Sequence, residues 1–284
     1  MNTITMIATD VDGTLLTNDK TVTEKTQKAL KELKNRGILL GIASGRSVES
    51  SLQFLQEWGI EQDVSFLIGM NGSTIYNVRQ KKKEEFYLLD GETILEIIEH
   101  FKDCKVEFMA MRGNNRYVMH STEESRKHAK MFYENEIVID FQTELKGKKF
   151  NKLLLRTAVE DMAEVVKVSK TFSSPQYVGI QTEKHLFEYF DSHINKGVGI
   201  EKVCQQFGVN IENVVAFGDS LNDKEMLQKV GLGIAMKNAN DEVKTVAKKI
   251  SEYTNEEDAL ANFINDFLES KNPLRLDHDA NKKG

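Results

Sequence analysis

Short apolar runs alternate with amphipathic helical stretches through the first hundred residues, and this alternation constrains the fold more than any other feature of the chain. The run "ITMIAT" (4–9) is continuous and partly β-branched, as expected of a strand covered on both faces. From Thr21 the "TVTE" pattern reads as a capping box opening a helix, with Thr26, Ala29, Leu30 and Leu33 on one face and Gly37 closing it. "ILLGIA" (38–43) is the second strand, and "SVESSLQFLQEWG" (47–59) a helix with Val48, Ser51, Leu52 and Leu55 inward. "VSFLIGM" (64–70) is the third strand. A βαβαβ order of this kind predicts a parallel sheet with helices on both faces.

The pattern resumes near the other end. "NKGVGIEKVCQQFG" (195–208) is a helix with Ile200, Val203, Cys204 and Phe207 on one face, followed by the buried strand "NVVAFGD" (213–219). A helix near 222–230, a short "GLGIAM" strand and helices near 240–249 and 256–268 complete this half. The middle differs: "VEFMAM", "NRYVMH", "EIVIDF", "FNKLLLRT", "PQYVGIQ" and "HLFEYF" include strands that alternate apolar and polar residues, with helices near 122–134 and 159–170. That pattern marks an antiparallel sheet with one solvated face. The fold class is therefore α/β with an α+β insertion: core 1–83, insertion 84–190, core 191–270 and a polar, non-periodic tail 271–284 that is expected to fray. The charged stretch "RQKKKEE" (79–85) is either the entrance to the insertion or a solvated hairpin turn.

In an open α/β sheet, ligands bind beyond the carboxyl ends of the strands. Asp10 and Asp12 follow the first predicted strand, Ser44, Gly45 and Arg46 the second, Asn71 and Gly72 the third, and Gly218, Asp219 and Asp223 follow "NVVAF". If "ATDVDGTLL" stayed extended, Asp10 and Asp12 would point to one face and repel each other. Three or four carboxylates in one crevice need a cation, and hard oxygen ligands select Mg²⁺, which leaves positions for water and a phosphate oxygen. Ser44, the backbone N–H groups opening the 47–59 helix, and Lys196 are groups suited to a phosphoryl group. Carboxylates, Mg²⁺ and a lysine together form an inventory for phosphoryl transfer.

"DVDGT" (10–14), "SGR" (44–46), Lys196 in "NKG" and "GDSLND" (218–223) resemble, in order, the four motifs of the haloacid dehalogenase-like superfamily of aspartyl phosphatases. The order, and an insertion between the second and third motifs, is similar to the Cof-type hydrolases, over about residues 4 to 265. The resemblance implies a Rossmann-like core with an α+β cap closing as a lid. It implies Asp10 as nucleophile and Asp12 as general acid/base, with Asp10, the Asp12 carbonyl, Asp219 and Asp223 as the metal set. Ser44, Gly45, Arg46, Lys196 and Asn222 would bind substrate, a small phosphorylated metabolite with sugar phosphates first. The chain departs from the pattern at Ser220, where many relatives carry Asn, at Ala259, where they usually have Gly, and around the lysine, where "DSHINKG" is less typical.

Other readings stand beside this one. "DVDGTLLTNDKT" is a poor calcium loop, lacking Gly at its sixth position and ending on Thr21 instead of Glu. Ser44–Arg46 could be a plain helix cap, and Lys196 a solvated lysine. Arg112, Arg116 and Arg156 either read substrate or lie on a solvated face; His185 and His193 receive no role, and Trp58 belongs to the core. A phosphosugar mutase of the phosphomannomutase type carries similar motifs. A non-catalytic phosphate-responsive module like a receiver domain is the alternative from another class, although receivers are shorter and lack an insertion. Net charge is −6 with acids and bases mixed, which argues against nucleic acid or an anionic membrane as partner. Cys104 and Cys204 have no metal-type spacing and are expected to be buried thiols. With no signal-like start, the expectation is a cytoplasmic monomer or homodimer.

Overall fold

The computed structural model describes residues 4–172 and 174–270, so the tail at 271–284 lies outside the described residues. In chain order, β1 (Met6–Thr9) passes through a wide helical turn, Val11–Leu15, to α1 (Glu24–Asn35), β2 (Leu39–Ala43), α2 (Val48–Glu57), β3 (Phe66–Gly69), β4 (Thr74–Asn77) and β5 (Lys82–Glu85). There follow β6 (Leu89–Asp90), α3 (Gly91–His100), β7 (Glu107–Arg112), β8 (Asn115–Val118), α4 (Glu123–Met131), β9 (Asn135–Val138) and α5 (Phe141–Glu144). Next come β10 (Lys149–Phe150), β11 (Lys152–Arg156), α6 (Met162–Ser169), β12 (Tyr177–Glu183) and β13 (Leu186–Asp191). The chain ends through α7 (Lys196–Phe207), β14 (Val214–Gly218), α8 (Lys224–Lys229), β15 (Leu232–Ala235), α9 (Asp241–Val246), β16 (Lys249–Ile250) and α10 (Ala259–Glu269).

These elements form two units. One takes the chain up to Ser44, Phe54–Lys83 and the residues from Asn195 on; the other takes Gly45–Gln53 and Glu84–Ile194. The junctions expected at 83/84 and 190/191 stand beside transitions at Lys83/Glu84 and Ile194/Asn195, and α2 is divided between the units.

The first unit is built on a sheet ordered β16-β15-β14-β1-β2-β3-β4-β5. Every pair from β16 to β3 is parallel, whereas β4 runs antiparallel to β3. Met6, Ile7, Ala8, Leu40, Val214, Val215 and Phe217 have no exposed surface, which is why their segments read as unbroken apolar runs. Trp58 is buried and stacks on Phe54.

Several boundaries differ from the sequence reading. The N-cap of α1 is Thr23, whose side chain accepts the Thr26 N–H, and not Thr21. Thr21 is held instead in a turn by Thr17, leaving Glu24 as the first helical residue and out of reach as a capping-box partner. The stretch 79–85 contains the turn and return strand of a β4–β5 hairpin. The helix expected to 249 ends at Val246, because Lys249 and Ile250 add an edge strand beside β15. The last helix is broken at Asp258, whose φ is +56°. Cys204 is buried, but Cys104 is partly exposed; both are free thiols.

The second unit holds a six-stranded sheet ordered β12-β13-β11-β7-β8-β9, with β6 and β10 paired separately. It is antiparallel except for β8 and β9, which α4 connects as a parallel crossover. Phe108, Ala110, Leu153, Leu155, Phe187 and Tyr189 pack with Ile94 and Ile97 of α3 and Met162 and Val165 of α6. The alternate positions were expected to be solvated, yet Met109, Met111, Arg116, Lys152 and Glu188 are buried as well. Their charges are matched instead of hydrated: Lys152 Nζ lies 2.9 Å from Glu188 and donates to the Gly45 carbonyl, and Arg116 pairs with Glu134. No helix among the described residues is long and apolar enough to cross a membrane.

Candidate active site

Parallel pairing assembles the site. Thr9 of β1 faces Phe217 of β14 in register, and the Asp10 N–H donates to the Phe217 carbonyl, so Asp10 and the Gly218–Asp219 step leave the same edge of the sheet. The chain abandons the strand at Thr9 and winds through Val11–Leu15, which separates the two aspartates that an extended chain would have aligned. Asp10 turns inward and is buried, whereas the Asp12 carboxylate is 45% exposed and lies 2.7 Å from Lys20 Nζ. The expected juxtaposition of Asp10 and Asp12 is thus replaced by one of Asp10 with Asp219 and Asp223.

Lys196 is the first residue of α7, capped by Asn195, whose side chain accepts the Val198 N–H. Its side chain is 1% exposed, and Nζ sits 2.5 Å from Asp10 Oδ1 and 2.6 Å from Asp223 Oδ1. The solvated-lysine reading therefore fails. Asp223 uses its other oxygen to accept the Asp219 and Ser220 N–H groups, each at 3.0 Å, so it fixes the 218–223 loop and grips the lysine together. Asp219 is held by Thr14 Oγ1 at 3.0 Å and Ser220 Oγ at 3.1 Å, which places the departing residue Ser220 directly on an acid of the expected metal set. Gly13, at φ +79°, passes so near that a Cβ would lie 2.6 Å from Asp219 Oδ2.

Oxygens of Asp10, Asp219 and Asp223 lie within 4.8 Å of one another. Burial, the neighbouring Asp223 and Asp219 hold the Asp10 pKa well above its ordinary value despite the opposing pull of Lys196. Burial, then Asp223, push Asp219 up to about 6. Burial opposes the charge on Lys196, but Asp10 and Asp223 outweigh it and raise its pKa. Three acids around one ammonium are short of positive charge, and a hard divalent cation with oxygen ligands suits that donor set. The Asp12 side chain lies outside this group, and its expected contribution was its backbone carbonyl.

Ser44 is buried at the end of β2, donating its N–H to Ile68. Gly45 and Arg46 group with the second unit, where the Arg46 guanidinium lies 5.5 Å from the Phe132 ring centroid. Asn222 joins the first-unit cluster through Asn71. Of the three arginines weighed, Arg116 is buried with Glu134 and His128, Arg112 pairs with Glu85, and Arg156 ends β11; the solvated reading fails for Arg116. His185 pairs with Glu183 and His193 with Asp191. Sequence reasoning missed Thr14 as a support of Asp219 and Asn238 as a donor to the Gly13 carbonyl. Thr14 lay inside the quoted "DVDGT"; Asn238 carried no local signal.

Buried acids bridged by one lysine, past the carboxyl ends of parallel strands, form in this α/β fold a cluster that could hold a hard cation. The chain belongs to the haloacid dehalogenase-like hydrolase family, whose model matches residues 7–264. It is similar to the 5-amino-6-(5-phospho-D-ribitylamino)uracil phosphatase YitU of Bacillus subtilis, 26% identical over 270 residues that cover 93% of this chain and 97% of the relative. The phosphatase YcsE of the same organism, named for the same activity, is 28% identical over 269 residues, covering 93% and 96%. The solved structure of a HAD subclass IIB sugar phosphatase superposes with a TM-score of 0.77 at 22% identity, covering 92% of this chain and 98% of that one, a likeness of fold.

Replacing Lys196 with Met should destabilise the protein by about 3–5 kcal/mol at neutral pH without divalent cations, since Asp10 and Asp223 lose their shared counter-charge. Urea unfolding in EDTA measures it; an unchanged midpoint would show that the lysine is not what balances these acids.

Proposed function

We propose that this hydrolase is a Mg²⁺-dependent phosphatase of small phosphorylated metabolites, acting through an aspartyl-phosphate on Asp10. The observation that carries the reading is the buried Lys196 clasped between Asp10 and Asp223, with Asp219 beside them. Asp10, the Asp12 carbonyl and Asp219 would hold Mg²⁺, with Asp223 supporting them; when bound, the ion supplies positive charge against the acids and the phosphoryl oxygens. The Asp10 carboxylate attacks phosphorus as the bond to the leaving alcohol breaks. Asp12 gives that alkoxide a proton, then takes one from the water that attacks the aspartyl-phosphate and frees inorganic phosphate. Ser44, Lys196 and Asn222 grip the phosphoryl oxygens, Lys196 also holding Asp10 in place.

Sugar and sugar-alcohol phosphates head the substrate class, in keeping with the phosphoribityl group in the names of these relatives. A malachite-green screen of phosphorylated metabolites, with and without Mg²⁺, tests the reading. The panel should include sugar phosphates, nucleotides, cofactor phosphates and 5-amino-6-(5-phospho-D-ribitylamino)uracil. Catalytic release of free phosphate is expected. A transfer of the phosphoryl group to another hydroxyl would indicate a mutase, and stoichiometric trapping a phosphate-responsive module.

The Asp12–Lys20 pair is exposed at both ends, and such pairs contribute at most about 1 kcal/mol, so the pairing with Lys20 does not conflict with an acid role for Asp12. Asp12→Ala should therefore slow hydrolysis of alkyl phosphates by about 10²-fold more than that of p-nitrophenyl phosphate, whose leaving group hardly needs a proton. Equal losses on both substrates would remove Asp12 from the acid role.

A further inference from the structure

Asn222 sits in the short helical turn Leu221–Asp223, and its side chain is aimed from outside that turn: Nδ2 donates to Asn71 Oδ1 across 3.2 Å. Asn222 Oδ1 is buried without a hydrogen-bond partner among the described residues, so the Asn71 contact is what orients the amide. Asn71 belongs to the turn that ends β3. Met70 and Asn71 both have positive φ, +50° and +57°, and Gly72 follows at +114°. Adjacent non-glycine residues in the left-handed region are strained and persist only where their surroundings over-determine them.

Three contacts over-determine this turn. The Asn71 N–H donates to the Ser44 carbonyl at 3.1 Å. Gly72 passes so close to the segment opening α7 that a Cβ would come within 2.2 Å of the Asn195 carbonyl oxygen, next to Lys196. The Asn71 amide reaches Asn222. A single turn within the first unit thus touches the three segments that carry Ser44, Lys196 and Asn222.

We propose that Asn71 is a positioning residue, resting on the phosphatase reading of this site: its amide oxygen turns the Asn222 amide so that N–H, and not C=O, meets the phosphoryl group. An amide presents its acceptor and its donors on opposite branches, and an acceptor at Asn71 fixes which branch faces it. Nδ2 keeps a second hydrogen for the phosphoryl oxygen. Reversed, Asn222 would turn a carbonyl oxygen toward an anion. Asparagine suits the task because it tolerates left-handed backbone and offers a carbonyl acceptor with no added charge. Glycine would keep the backbone and lose the acceptor; aspartate would bring a charge beside the substrate anion.

Asn71→Gly, Asn222→Ala and the double variant form the test, with kcat and KM for p-nitrophenyl phosphate, inhibition by inorganic phosphate, and thermal midpoints. Asn71→Gly should fold normally, lose about tenfold in kcat/KM and bind phosphate more weakly, as for a misplaced binding group. In the Asn222→Ala background the same change should cost less than about twofold, because the group it positions is gone. Wild-type kcat/KM in Asn71→Gly, or losses that multiply in the double variant, would overturn the proposal, the second result marking a merely structural role. Asn71→Ser enters the same cycle, with the same outcomes, should Asn71→Gly not fold. A wild type that releases no phosphate from any substrate overturns the phosphatase reading and this inference with it; an active wild type with multiplying losses overturns this inference alone.

Discussion

Asp10→Asn is expected to lower kcat by about 10⁴-fold or more, while the protein stays folded and, in EDTA, unfolds at a temperature equal to or above that of the wild type. An amide has nearly the shape of the carboxylate but no nucleophilic oxygen. The stability half of the prediction comes from electrostatics. Burial, Asp223 and Asp219 make ionised Asp10 costly in the cation-free protein even with Lys196 beside it, and asparagine removes that charge while keeping an acceptor for Nζ. Single-turnover phosphate release and thermal unfolding measure the two halves. Near-normal turnover would remove Asp10 as the nucleophile; a collapsed midpoint would assign the lost activity to unfolding.

EDTA is expected to abolish turnover, Mg²⁺ to restore it, and Mg²⁺ to raise the unfolding temperature more at pH 7.5 than at pH 5. Asp219 is pushed up from an ordinary 3.8 to about 6 by burial, then by Asp223. Between those values the folded chain binds more protons than the unfolded one, so stability of the cation-free protein falls as pH rises through this window. Across the 2.2 units the loss is on the order of 3 kcal/mol. A divalent cation competes with those protons and offsets the repulsion once they have left, so its stabilising effect grows over the same window. Equal shifts at both pH values, or activity indifferent to EDTA, would remove the metal reading.

Most of the parallel core was legible because strands buried on both faces must be continuously apolar, as "ITMIAT" and "NVVAF" are. The acids were legible as well, since a sheet of parallel strands brings its carboxyl ends to one edge whatever the intervening sequence. What escaped was set by contacts distant in sequence. Nothing near Lys196 reveals that Asp10 and Asp223 enclose it, nor anything near Asp12 that the chain would turn its carboxylate out toward Lys20. The buried charges on the second sheet were misread because alternation reports polarity and not hydration: Lys152 and Glu188 satisfy the polar half of the pattern by pairing. The Asn71-Gly72 step carried a turn signal, since both residue types accept positive φ, but which side chain Asn71 would hold depended on residue 222.

The central position of β1 has a consequence for synthesis of the chain. Its β2 edge is covered early, but its other edge waits for β14, and the bond from Thr14 to Asp219 spans 205 residues. At roughly 5–20 residues per second, a ribosome takes about 10–40 s to supply that strand. Throughout that interval the emerging chain bears an apolar strand with one ladder unmet, open to pairing with a neighbouring polypeptide. Chains cut short before β14 are expected to be prone to association, and they lack Asp219 and Asp223.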